Sequence, residues 1–118
     1  MAFAPTRDAG KARQFYEGVL GLRVLSQDGF ALALDANGIM LRVTNVPADF
    51  KPQQFTVLGW EVSDIAEAVS ALREKGVRFE HYGMPGQDAD GVWTAPGGAK
   101  IAWFKDPDGN ILSLTQMS

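Results

Sequence analysis

The chain repeats one pattern twice: a strand, a helix, then three strands. A repeat constrains the fold more than any single motif, because each copy is one supersecondary unit that must find a partner for its open face. The first helix is expected over about 8–20. Ala12, Phe15, Tyr16, Val19 and Leu20 recur at the spacing of one helical face, with Asp8 as the N-cap and Gly21 just past the end. The second starts at Asp64, where Ile65, Ala68, Val69 and Leu72 form the apolar face. Glu67 stands three residues after Asp64, as in a capping box, and Gly76 follows Lys75 as the stop.

The registers of the two copies agree. Asp8 and Asp64 are 56 residues apart, and Gly21 and Gly76 are 55 apart. Asp35 and Asp106, which open the last hairpin turn of each copy, are 71 apart. The growth in offset places an insertion between Tyr82 and Lys100, rich in turn residues and carrying a short strand around 92–95. The other strands are expected over 22–26, 30–34, 39–43, 56–62, 77–82, 100–104 and 110–116, beyond one that opens the chain. Asn37-Gly38 is a hairpin turn signal, and Asp106-Pro107-Asp108-Gly109 reads as a Pro-then-Gly turn rather than a calcium loop. The modules cover 1–46 and 55–118 and make a single domain over 1–118, of α+β class.

Composition enters as a set of exclusions. With no Cys, the chain has no thiolate metal site, disulfide or cysteine nucleophile. With one His, a histidine-based mechanism would rest on His81 alone. A net charge of −3 gives no electrostatic footprint for nucleic acid or an anionic membrane. No apolar run approaches the length of a membrane span, and the first residues lack a signal-peptide pattern, so a cytoplasmic protein is expected.

Three segments carry a family likeness: Phe15-Tyr16-Glu17-Gly18-Val19-Leu20-Gly21-Leu22, Val62-Ser63-Asp64-Ile65 with Lys75-Gly76-Val77, and Trp103-Phe104-Lys105-Asp106-Pro107-Asp108-Gly109-Asn110. In order and spacing the chain resembles the vicinal oxygen chelate superfamily of glyoxalase I, extradiol dioxygenases, fosfomycin-modifying enzymes and bleomycin-binding proteins. The resemblance implies two βαβββ modules curled into an incomplete, cupped barrel around a cavity. It implies four metal-ligand positions, two per module. They fall here on Met1, Arg42, Val57 and Ser113. None is an ordinary ligand for a divalent ion, and a cationic Arg repels one. The fold is therefore expected without its usual metal: no metal and no cofactor.

Strand alternation places Arg7 with Met1, Met40 with Arg42, and Glu61 with Val57 on the faces that carry those positions. The resemblance to antibiotic-binding members adds Trp103, and Trp93 lies on the neighbouring loop or strand. The expected ligand-binding residues are Arg42, Trp103, Trp93, Glu61, Ser113, Met40, Val57 and Arg7. Such a set suits a small, partly apolar or aromatic ligand, one with an anionic group included. Plainer roles stand beside this one. The tryptophans are equally suited to core packing, Arg42 and Arg7 to an ion pair with Glu61, and His81 to simple solvation.

The leading expectation is a metal-independent small-molecule-binding protein, with no catalytic residue assigned. It is expected to form a homodimer and to have no nucleic-acid or membrane partner. The alternative is a glyoxalase-like lyase, isomerase or dioxygenase with displaced metal ligands, for which Glu61, Glu80 and His81 are the candidates. A third reading is a structural module with a solid core.

Overall fold

A computed structural model describes residues 2–47, 56–83 and 85–117. Met1, one of the implied ligand positions, lies outside the described residues. The elements run β1 (Ala2–Thr6), α1 (Ala9–Arg13), a π-helical segment (Gln14–Val19), β2 (Arg23–Gln27), β3 (Ala31–Ala36) and β4 (Ile39–Asn45). They continue as β5 (Thr56–Glu61), α2 (Ile65–Glu74), β6 (Trp93–Thr94), β7 (Lys100–Lys105) and β8 (Ile111–Gln116). Two four-stranded sheets result, in the orders β1-β4-β3-β2 and β5-β8-β7-β6, and neither closes into a barrel. This is the α+β fold of two modules that the repeat predicts. No helix among the described residues is long and apolar enough to cross a membrane.

The chain forms two compact units. The first comprises residues 1–58 with 106–111, and the second 59–105 with 112–118. In the first, β1 and β4 are parallel neighbours, and β4 pairs antiparallel with β3. Ala4, Leu32, Leu34, Leu41 and Val43 are buried on one side of the sheet, as are Ala12 and Tyr16 of the helical segment. Burying each large aliphatic side chain contributes roughly 1.5–3 kcal/mol. The β3–β4 hairpin closes on Asn37 and Gly38, both with positive φ (54° and 93°), as a two-residue primed turn requires. The Gly38 N–H donates to Asp35 Oδ1 at 2.9 Å.

In the second unit Ile65 and Val69 of α2 are buried, with Ala102 and Phe104 of β7 and Leu112 and Leu114 of β8. Trp60 and Phe79 meet Phe104 edge-on at centroid distances of 6.1 and 5.4 Å. Both expected N-caps form: Asp8 accepts from the Lys11 N–H and Asp64 from the Glu67 N–H, each at 3.1 Å.

Two expectations need correction. The helix expected over 8–20 is α-helical only to Arg13 and then π-helical, with the Leu20 N–H donating to the Phe15 carbonyl at 2.9 Å. A π turn accommodates one extra residue, and apolar periodicity cannot register it over so short a stretch. The segment 77–82 is not a full strand either. It contributes a single bridge, Phe79 to Phe104, and the Glu80 N–H donates to the Trp103 carbonyl at 2.8 Å. The remaining edge of β7 is taken by the insertion, with Trp93 opposite Ile101 and Thr94 opposite Lys100. Two short segments thus divide the edge that one strand was expected to fill.

Candidate functional site

Each sheet has one side lined by buried aliphatic residues and another that carries the expected site residues. In the first unit, register aligns Phe3, Arg42, Ala33 and Ser26 in one row across β1, β4, β3 and β2. Alternation along β4 puts Met40 and Thr44 on the same face as Arg42. Phe3 is 59% exposed and Met40 39%, while Arg42 is half-buried beside the small side chain of Ala33. Among the described residues no carboxylate lies within ion-pair distance of Arg42. The Asp28 carboxyl is held below its usual pKa, first by the Phe30 and Ala31 N–H groups and in smaller part by the Arg42 charge.

Arg7 is committed elsewhere. Its backbone N–H donates to Asp108 Oδ1 at 2.9 Å, its Nη2 to the Asp108 carbonyl at 3.1 Å, and its Nε lies 3.5 Å from Oδ1. The partner expected for it was Glu61, and among the described residues Glu61 makes no ion pair.

In the second unit the tryptophans come together. Trp103 lies between Trp93, with ring centroids 6.2 Å apart and a 35° tilt, and Tyr82, at 5.6 Å and edge-on. Alternation sets Ile101 and Trp103 on one face of β7, opposite to Ala102 and Phe104, which are buried. Trp93 and Trp103 are half-buried and Tyr82 is 47% exposed, so the rings form a shelf with free surface rather than a sealed core. The insertion loop is tied beneath it. The Trp93 Nε1–H donates to the Pro85 carbonyl at 3.1 Å, and Gln87 Nε2 donates to the Glu80 and Gly91 carbonyls at 2.9 Å each. Gln87 Oε1 accepts from the Tyr82 N–H at 2.9 Å. Partial burial and the nearby Glu80 charge raise the Tyr82 hydroxyl above its ordinary pKa. Glu80 itself pairs with Lys105 at 3.6 Å.

Ser113 of β8 is buried, and its hydroxyl occupies the place a side chain at Gly59 would need: a Cβ there would stand 2.3 Å from Ser113 Oγ. A glycine at 59 is thus a condition for the serine's position. Glu61, exposed, and Val57, half-buried, share the Gly59 face of β5.

The residues at the implied ligand positions do not fit a divalent metal. A guanidinium, an isopropyl group and a neutral hydroxyl stand at 42, 57 and 113. No group of three or more His, Asp or Glu able to hold a metal occurs among the described residues.

Sequence reasoning missed a buried polar cluster in the first unit. Asp106 Oδ2 accepts from the Tyr16 hydroxyl at 2.6 Å and from Asn110 Nδ2 at 2.8 Å. Its Oδ1 accepts from the Asp108 and Asn110 N–H groups at 2.9 and 2.8 Å. Asp108 Oδ2 accepts from the Thr6 hydroxyl at 2.5 Å, and Asn110 Nδ2 also donates to the Pro5 carbonyl at 2.8 Å. Burial is the largest cause raising the pKa of both Tyr16 and Asp106. The only sequence signal was the alternation of polar residues at 106, 108 and 110, which a turn explains equally well.

A sequence model of the "Glyoxalase/Bleomycin resistance protein/Dioxygenase superfamily" matches residues 2–114. No curated protein matches the sequence. Among solved structures, a bleomycin resistance determinant encoded on the transposon Tn5 superposes with a TM-score of 0.77 at 24% identity, over 99% of this chain and 95% of that one. TnmS3, an antibiotic binding protein from Streptomyces sp. CB03234, gives 0.75 at 25% identity, over 98% and 92%. A glyoxalase/bleomycin resistance protein/dioxygenase from Alicyclobacillus acidocaldarius gives 0.73 at 18%, over 98% and 87%.

Proposed function

The chain belongs to the glyoxalase/bleomycin resistance protein/dioxygenase superfamily, and on that premise we propose that it is a metal-independent member that binds a small, partly aromatic organic molecule. The observation that carries this reading is the Trp93–Trp103–Tyr82 shelf, half-buried on a sheet face. Flat aromatic rings with free faces stack on planar ligands at low entropic cost. The donor set at the implied metal positions supports the same reading, since Arg42, Val57 and Ser113 cannot polarise a chelating substrate through a metal. Two of the structural neighbours have resistance to, or binding of, an antibiotic in their names, which is binding chemistry of the kind proposed.

Titrating a library of planar aromatic compounds against tryptophan fluorescence tests the proposal. A binder should quench emission saturably, and Trp103→Ala should weaken it by about 2 kcal/mol, the loss typical of a central aromatic anchor. Absence of any binder at millimolar concentration would refute the reading. So would stoichiometric metal in protein purified without chelators, which would favour the lyase, isomerase or dioxygenase alternative.

A further inference from the structure

The insertion does more than complete the edge of the second sheet. From Gly76 to Asp106 the second module spends 30 residues where the first spends 14, from Gly21 to Asp35. Part of the surplus, residues 88–94, stands alongside α2 and encloses a groove of about 510 Å³. That volume is within the range of small-molecule sites, roughly 300–1,000 Å³. The groove follows two adjacent rows of the helix, Ile65–Val69–Arg73 and Ala66–Ser70–Glu74, a length of about 15 Å. It is distinct from the aromatic shelf. Trp93 turns to one face of β6, while its neighbours Val92 and Thr94 line the groove on the other.

The groove has an apolar floor and unlike ends. Ile65, Val69 and Val92, all buried, form the floor. At one end Arg73, in the last turn of α2, is already neutralised by Asp90 at 2.5 Å. From Asp90 the chain runs to Thr94, which pairs with Lys100 at the opposite end. Among the described residues Lys100 has no carboxylate within ion-pair distance. Of the two other carboxylates in the lining, Asp88 Oδ1 accepts the Asp90 and Val92 N–H groups at 2.9 Å each, and Glu74, the last residue of α2, stands at the Arg73 end without an ion pair among the described residues. A groove with polar walls over an apolar floor, ending in an ammonium that has no ion pair among the described residues and a hydroxyl beside it, matches a small amphiphilic anion. We infer that the groove between α2 and the insertion is a second binding site, for a small monocarboxylate whose apolar chain lies along Val69 and Val92 and whose carboxylate meets Lys100 and Thr94.

Octanoate is a suitable probe, read by the methyl NMR signals of Ile65, Val69 and Val92. These signals should shift saturably. Lys100→Gln should weaken binding about tenfold by removing a charge-assisted contact. Ser70→Phe should abolish it by filling the groove. Both positions are exposed, and unchanged circular dichroism would show that the variants fold. Trp103→Ala should leave octanoate binding unaltered, which separates this site from the aromatic shelf. Octylamine, with the same chain and the opposite charge, should not bind. The inference is overturned if octanoate causes no saturable shift, if Lys100→Gln has no effect, if Trp103→Ala abolishes the shift, or if octylamine binds equally well.

Discussion

Tyr16 illustrates how a residue read correctly for one property can be decided by another. Its helical spacing marks it as core, and it is fully buried. Its hydroxyl, however, ends on Asp106, 90 positions along the chain. Tyr16→Phe should cost about 1–3 kcal/mol, because a buried carboxylate oxygen loses one of its two donors. The pH dependence follows from the sign of the shift. In the fold Tyr16 keeps its proton well above the ordinary value of 10.0, whereas the unfolded chain ionises it there. Its contribution to stability is therefore complete below pH 10 and is lost as pH rises beyond it. Thermal melts above pH 10 should show a steep loss in the parent protein and a shallower one in Tyr16→Phe. Asp106 acts in the acidic window. Its raised pKa means the fold holds the proton more tightly than the unfolded chain, so its contribution is full below about 3.8 and falls as pH rises through the folded value.

Caps and turns were legible in the elements because their chemistry is local. Asp64 needs only its own backbone and the Glu67 N–H to define the start of α2. Asp64→Ala should cost about 1 kcal/mol in urea denaturation, with α2 fraying from its first turn. The π-helical segment was not legible, since an extra residue per turn leaves no mark in apolar spacing. It offers a test of its own. A Cβ at Gly18 would meet no atom within 4 Å, and Gly18 is not among the residues of positive φ. Gly18→Ala should therefore stabilise the protein by roughly 0.5–1 kcal/mol, seen as a higher urea midpoint at unchanged slope. The division of the β7 edge between residues 79–80 and 93–94 was equally hidden, because strand propensity cannot say which of two segments wins an edge.

For the whole molecule, we propose a homodimer. In the first sheet β2 is an edge strand, mostly exposed and bulged between Val24 and Ser26. Leu25 is 43% exposed and Phe30, at the turn into β3, 78%. An apolar edge of this kind calls for a cover, and a second copy of the chain is the simplest one. Sedimentation equilibrium should give about twice the 12.8 kDa of the chain, and Phe30→Asp should shift the mass toward the monomer. A monomer at all concentrations would refute the proposal.

The sequence by itself determined the repeat, the α+β module, both helix caps, the Asn37-Gly38 hairpin and the unsuitability of residues 42, 57 and 113 as metal ligands. Each of these depends on residue type and short-range spacing, which act within a few positions. Only the tertiary structure decided where the polar side chains of the Asp106–Asn110 turn are spent, namely on Pro5, Thr6, Arg7 and Tyr16. It likewise decided that Trp93, Trp103 and Tyr82 form one shelf, and that the insertion walls a groove against α2. These contacts join segments far apart in the chain. No local pattern encodes them; they follow from how the elements pack once formed.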